Sequence, residues 1–167
     1  MDMKQAFLSI FILLLAACGS EIPEHIDLKW HYENSIDVAR FKVVQTIPVV
    51  LDGSQCDAIV WELESVETFK GKLKQGDKIR VWGPNDPTYW ALGKDRIMFL
   101  DYYQGQGYDS CSSHLFSNFK QVTWGCCEIS TKDKTENVLF HTMINSEQRG
   151  DDIPVASETV FNILRSY

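Results

Sequence analysis

Cysteine and histidine are the side chains best equipped for chemistry in this sequence, which holds five and four of them. Four of the cysteines form an even set that suits disulfide bonding in an oxidising compartment: Cys56, Cys111, Cys126 and Cys127. Three pairings can be drawn, and one of them joins neighbouring residues through a strained turn. We expect Cys111 to bond one member of the adjacent pair, Cys126 and Cys127, and Cys56 to bond the other. No Cys-x-x-Cys is present, so a thioredoxin-like redox role lacks its main support.

A zinc site is the main alternative for these cysteines. Its ligands would come from Cys111-x-x-His114 together with Cys126, Cys127 and His141. That spacing matches no paired Cys-x-x-Cys framework, and thiols in an oxidising compartment tend to form disulfides. We therefore predict no metal and no other cofactor.

Catalytic groups are equally scarce. The histidines are scattered, and Ser112-Ser113-His114 lacks the Gly-x-Ser-x-Gly turn that exposes a hydrolase serine. Glu62 and Glu64 share the solvent face of a predicted strand, where paired carboxylates are normally solvated. We predict no active site and a protein that is not an enzyme.

The fifth cysteine, Cys18, ends a motif of a different kind. Behind Lys4, an apolar run from Ala6 to Leu15 is too short to cross a hydrocarbon core, which needs about 20 residues, but it is typical of a signal peptide. Leu15-Ala16-Ala17-Cys18 follows and resembles the lipobox of bacterial lipoproteins. The resemblance implies that residues 1–17 are cleaved off and that acyl chains such as palmitate modify Cys18.

The lipobox sets expectations for location. Gly19 follows the cysteine where an Asp would signal inner-membrane retention, so we expect an outer-membrane lipoprotein that faces the periplasm. Residues 18–34, with Pro23 and several charges, are predicted to be the lipidated N-terminus and a tether. Asp2 is unusual in a basic leader, and a start at either Met1 or Met3 stays open.

The net charge of −7 at pH 7 also limits the partners. With no basic cluster to neutralise phosphates, nucleic-acid binding is disfavoured. The expected partners are the membrane, through acylated Cys18, and another envelope protein.

Alternating apolar residues predict a mainly β domain over residues 35–167. Strands are expected at Phe41–Val50, Ala58–Phe69, Lys78–Trp82 and Arg96–Tyr102, with weaker strands at Lys120–Ile129 and Val138–Ile144. The second strand loses its alternation at Val66 and Phe69, which predicts a bulge or a sharp coil of the strand. Ser157 is expected to cap a C-terminal helix with Val160, Phe161, Leu164 and Tyr167 on one face.

Two segments carry a second resemblance. They run from Val66 to Val81, around Lys70-Gly71-Lys72-Leu73-Lys74-Gln75-Gly76-Asp77, and from Gly93 to Leu100. They resemble the netrin-like domain shared by tissue inhibitors of metalloproteinases and bacterial envelope relatives. The resemblance implies an OB-like five-stranded barrel, closed or partly open, with a C-terminal helix and a short N-terminal helix. An unrelated β barrel or sandwich is the alternative.

The inhibitors' mechanism does not transfer to this sequence. It needs an N-terminal Cys-x-Cys with a free amine that chelates the protease zinc, whereas the expected mature N-terminus is acylated Cys18-Gly19-Ser20. Metalloprotease inhibition by that route is not expected.

The remaining candidate is a tyrosine-rich segment that contains Tyr102, Tyr103 and Tyr108 among Gly and Gln. Tyrosine offers large contact area at low entropic cost, so this segment is a candidate partner-binding loop. Its tyrosines could equally pack against Trp82 or Trp90. We therefore predict a non-enzymatic envelope protein with a protein-binding domain, or alternatively an immunity-type lipoprotein that neutralises a periplasmic toxin.

Overall fold

The computed structural model describes residues 21–49, 58–84, 92–102, 120–124, 127–132, 134–143 and 149–167. These residues form helix α1 (Leu28–Glu33), strands β1 (Asp37–Val49), β2 (Ala58–Lys70), β3 (Lys78–Pro84), β4 (Asp95–Tyr102), β5 (Lys120–Trp124), β6 (Glu128–Lys132), β7 (Thr135–Met143) and β8 (Arg149–Ala156), and helix α2 (Ser157–Ser166). The mainly β class and the C-terminal helix are confirmed.

One sheet includes all eight strands, in the order β1-β2-β3-β5-β4-β6-β7-β8, and β1 pairs additionally with β4. The pairs are antiparallel except for β3 with β5. The sequence pattern predicts a single strand over Lys120–Ile129, but the chain forms two there, β5 and β6. It also forms β8, which the pattern does not predict.

The long β1–β2 pair contains the bulge that the sequence predicts. Arg40 pairs with Glu67 and Phe41 with Ser65, which leaves Val66 without an opposite residue. A second shift in the register skips Phe69 in the same way. The two residues that break the alternation are therefore the two extra residues of β2, as expected for a strand that bends by bulging.

Strand β4 separates two hydrophobic clusters. Ile97 and Phe99 point into a cluster with residues of β6, β7, β8 and both helices, including Leu28, Val138, Phe140, Val155 and Phe161. Met98 and Leu100 point to the other side, into a cluster with residues of β1, β2 and β3, including Phe41, Trp61, Leu63 and Val81. Strand β4 is therefore apolar on both faces, which is typical of a central strand.

Helix α2 packs on the first of these clusters. Val160, Phe161 and Leu164 are buried there as predicted, whereas Tyr167 is 46% exposed. The predicted cap is wrong by one residue, because Ala156 is the N-cap and makes no side-chain hydrogen bond. Ser157 already lies inside the helix, where its hydroxyl cannot serve the first free N–H groups.

Candidate functional site

The tyrosine-rich segment leaves the sheet at the end of β4. Tyr102 is the last residue of that strand and its side chain is 67% exposed. Its backbone N–H donates to Oδ1 of Asp101 at 2.7 Å, which fixes the direction of the chain at this point. Tyr103 and Tyr108 lie outside the described residues. Tyr102 is therefore a large aromatic side chain presented to solvent at the end of a strand whose residues Arg96 to Leu100 are buried.

Helix α1 supports the same end of β4. The N–H of Ile36, just after the helix, donates to the carbonyl of Leu100 at 2.9 Å. The His31 ring lies 5.8 Å from the buried ring of Phe99. Trp30 packs edge-on against His31 at 5.0 Å between ring centres and remains 56% exposed.

His31 is the histidine of this region with a perturbed charge state. Partial burial lowers its pKa, and the charge of Asp27 opposes that shift only in part. Because burial penalises the imidazolium, the neutral ring is favoured next to the apolar Phe99. This arrangement suits packing of the helix against β4.

Several contacts hold α1 in place. Oδ1 of Asp27 accepts a hydrogen bond from Trp30 N at 2.8 Å and so caps the helix. At the other end, Lys70 Nζ donates to the carbonyl oxygens of Tyr32 and Glu33 at 2.7 and 3.1 Å. The Tyr32 hydroxyl donates to Phe69 O at 2.9 Å.

Part of the predicted tether packs against the domain. Leu28 is buried in the first cluster, and Ile22, Ile26 and Tyr32 pack against it. Residues 21–34 therefore belong to the folded unit rather than to a free spacer. The physical reason is that these four side chains are interspersed among the charges that suggested a tether.

The charged side chains form ion pairs that the sequence analysis missed. Arg40 on β1 donates to Asp95 at 2.7 Å and to Glu136 at 2.9 Å, which joins β4 and β7. Burial alone would lower the pKa of Arg40, but the hydrogen bonds to Asp95 and Glu136 outweigh it and raise the pKa. Its guanidinium also lies 5.8 Å from the Phe161 ring centre. One guanidinium thus bridges two carboxylates from different strands, an arrangement suited to holding strands together.

Two further groups of charged side chains, around Glu128 and Arg165, also form ion pairs. Glu128 binds both Lys94 and the buried Arg96. Arg165 of α2 contacts Glu67 of β2 at 2.6 Å and Glu158 of its own helix at 3.1 Å. Apart from Glu158, these partners are distant in sequence, and no spacing rule could have identified them.

The structure describes only some of the other residues that the sequence analysis singled out. Glu62 forms ion pairs with Lys78 at 3.7 Å and Arg80 at 3.5 Å, and Glu64 follows it along β2. Cys127 is buried and disulfide-bonded, so it has no thiolate to offer a metal. Cys18, Cys56, Cys111 and Cys126 lie outside the described residues, as does His114, and the disulfide pairing stays a prediction.

The described residues contain no group of three or more His, Cys, Asp or Glu that could hold a metal ion. No helix among them is long and apolar enough to span a bilayer.

Comparison with known proteins leaves the two resemblances as predictions. No protein-family model, no curated protein and no solved structure matches this chain.

Proposed function

We propose that this protein is a non-enzymatic lipoprotein of the bacterial cell envelope whose OB-like, netrin-like domain binds another protein. In this proposal Cys18 carries the acyl chains and the domain faces the periplasm from the outer membrane. The membrane and one envelope protein are its partners.

The strand pairings support an OB-like barrel. β1 pairs with both β2 and β4, β2 pairs with β3, β3 pairs in parallel with β5, and β5 pairs with β4. Each of the five strands thus has two neighbours within the set. The cluster around Trp61 and Leu63 would fill the interior of such a barrel, because its members come from β1, β2, β3 and β4.

The exposure of Tyr102 is the observation that carries the binding proposal. This side chain is 67% exposed, although the five residues from Arg96 to Leu100 on the same strand are buried. Tyrosine exposed on a rigid strand provides contact area with little loss of conformational entropy on binding. Tyr103 and Tyr108, the other predicted residues of this loop, follow Tyr102 in the sequence.

The test is photocrosslinking in intact cells. A benzophenone amino acid replaces Tyr102 in the full-length chain, and the matched control carries it at Thr131. Thr131 is also exposed and follows Ile129, the partner of Asp95, so it lies beyond the opposite end of β4. We expect position 102 to capture one discrete protein that position 131 does not capture.

Binding by the purified pair then measures the contribution of the side chain. Tyr102→Ala is expected to weaken binding about tenfold or more, as truncating a central interface aromatic does, whereas Thr131→Ala leaves it unchanged. If the captured partner is a toxin, the immunity role follows. Capture of the same bystanders at both positions would contradict the proposal.

A further inference from the structure

The N-terminal segment before β1 has little room to move away from a lipid anchor. Its packing begins at Ile22, followed by Ile26 and the buried Leu28. Only four residue steps separate Ile22 from Cys18, and a fully extended chain spans about 3.5 Å per residue. An acylated Cys18 would therefore hold Ile22 within about 14 Å of the membrane surface.

We infer that the exposed side of the segment from Glu21 to Glu33 lies against the bilayer that holds the acyl chains. The exposed Trp30 would then lie in the headgroup layer of that bilayer. This inference rests on the proposed lipid anchor at Cys18. In this arrangement the domain is held in one orientation on the membrane, whereas a free tether would let it rotate.

Trp30 is the side chain of this face that suits an interface between water and lipid. It is 56% exposed on a helix that is fixed to the domain by the buried Leu28 and by the hydrogen bond from Lys70. Tryptophan is enriched where membrane meets water, because its ring is apolar and its N–H is polar. A fixed helix presents this ring without a further entropic cost of ordering it.

The charge of the face determines which lipid it tolerates. Glu21, Glu24, Asp27 and Glu33 stand against one basic residue, Lys29. Anionic lipid would repel such a surface within a Debye length, so the matching lipid is a zwitterionic phosphatidylethanolamine. The contact depends on the short connection to Cys18, which keeps the effective concentration of lipid at Trp30 high.

The first experiment places a benzophenone amino acid at position 30 of the full-length chain in intact cells, with position 131 as the matched control. Palmitate incorporation, and its loss in Cys18→Ser, reports acylation separately. We expect phospholipid crosslinks from position 30 and none from position 131. Acylated protein whose position 30 captures no phospholipid would overturn this inference and leave the anchor intact. Absence of palmitate would overturn the anchor and the inference together.

The second experiment lengthens the connection. Inserting 20 Gly/Ser residues between Ser20 and Glu21 extends the connection from four to 24 residue steps. Effective concentration falls as about the −3/2 power of length, so the lipid crosslinks should fall roughly 15-fold while palmitate incorporation stays the same. An unchanged yield would contradict the role of the short connection.

Purified, acylated protein in vesicles gives an independent measurement. Brominated phosphatidylethanolamine should quench part of the tryptophan fluorescence, and Trp30→Phe should remove that quenchable part. Replacing half of the lipid by phosphatidylglycerol should reduce the quenching. Equal quenching in the wild-type and Trp30→Phe proteins would contradict contact of this side chain with lipid.

Discussion

Arg40 connects parts of the fold that are far apart in sequence. Its guanidinium joins Asp95 at the start of β4 to Glu136 at the start of β7, and the side chains of Arg40 and Asp95 are only 18% and 22% exposed. Removal of the arginine would leave two carboxylates with reduced solvation and no counter-charge. Lys29 and Glu33 also form an ion pair, at 3.8 Å, but both of their side chains are exposed. Water therefore solvates Glu33 when Lys29 is removed.

We expect Arg40→Met to lower the free energy of unfolding by about 2–3 kcal/mol, because charge-assisted hydrogen bonds at a partly buried site are lost. Lys29→Met is the control and should change it by less than about 0.5 kcal/mol. Urea unfolding followed by circular dichroism measures both. Equal losses in the two variants would mean that Arg40 does not stabilise the fold through this network.

Ser157 tests the correction at the start of α2. A true N-cap serine stabilises a helix by about 1 kcal/mol. The Ser157 hydroxyl is buried and has no hydrogen-bond partner among the described residues, so Ser157→Ala should leave stability unchanged or raise it slightly. A loss of about 1 kcal/mol in thermal or urea unfolding would restore Ser157 as the cap.

At the scale of elements, the connection from β2 to β3 depends on Gly71. Its φ of +102° already favours glycine, and an added Cβ would overlap Asp37 Oδ1 and lie 3.1 Å from Ile36 O. Gly76, in the same connection, has φ +85° but no atom within 4 Å of an added Cβ. The two glycines therefore separate the effect of backbone conformation from that of close packing.

Gly71→Ala should destabilise the protein by about 3 kcal/mol, which combines strain with overpacking against β1. Gly76→Ala should cost about 1 kcal/mol, from the backbone conformation alone. The difference between the two urea midpoints is the measurement. Similar midpoints would show that the contact between Gly71 and the Asp37 region is easily relaxed.

Helix α1 should respond to acid through His31. Burial lowers the pKa of His31 in the folded protein, so below the usual value of about 6.5 the unfolded chain takes up this proton first. The contribution of His31 to the free energy of unfolding is therefore fully present above about pH 6.5, and it is lost as the pH falls towards the folded-state pKa of His31.

Unfolding measured from pH 7.5 to 5 should show a smaller decline for His31→Gln than for the wild type. His25→Gln, at an exposed residue of the same segment, is the control and should follow the wild type. A His31→Gln variant with the full wild-type decline would assign the acid sensitivity to other groups.

The elements also show why some structure was predictable. Alternation located β1 to β3, a run of consecutive apolar residues located β4, and the breaks at Val66 and Phe69 located the β2 bulges, because these patterns are local properties of the sequence. Strand β8 was missed because its residues Arg149-Gly150-Asp151-Asp152 are polar and Pro154 follows. Such a strand suits the end of the sheet order, which β8 occupies, since proline is tolerated on edge strands.

The site was predictable to a smaller extent. Tyr102 was identified from composition, and the structure places it exposed at the end of β4. The support from α1 was missed, because the charges of residues 18–34 concealed the apolar side chains of Ile22, Ile26 and Leu28. Ion pairs such as Arg40 with Glu136 join residues about a hundred positions apart, a relation that only the folded chain defines.

For the whole molecule, the proposed lipid anchor would link location, orientation and function. A small acidic domain with an exposed Tyr102 gains a defined membrane and a limited set of partners only if Cys18 holds it there. Without the acyl chains, the acidic face around Trp30 would have no reason to approach a membrane.

The most direct measurement is therefore mass spectrometry of the N-terminal peptide of the protein purified from membranes, with Cys18→Ser as the control. The account predicts a peptide that begins at Cys18 and carries acyl chains on its thiol and amine. A peptide that continues through Ala17 into an unmodified Cys18, or protein that is found free of membranes, would contradict it.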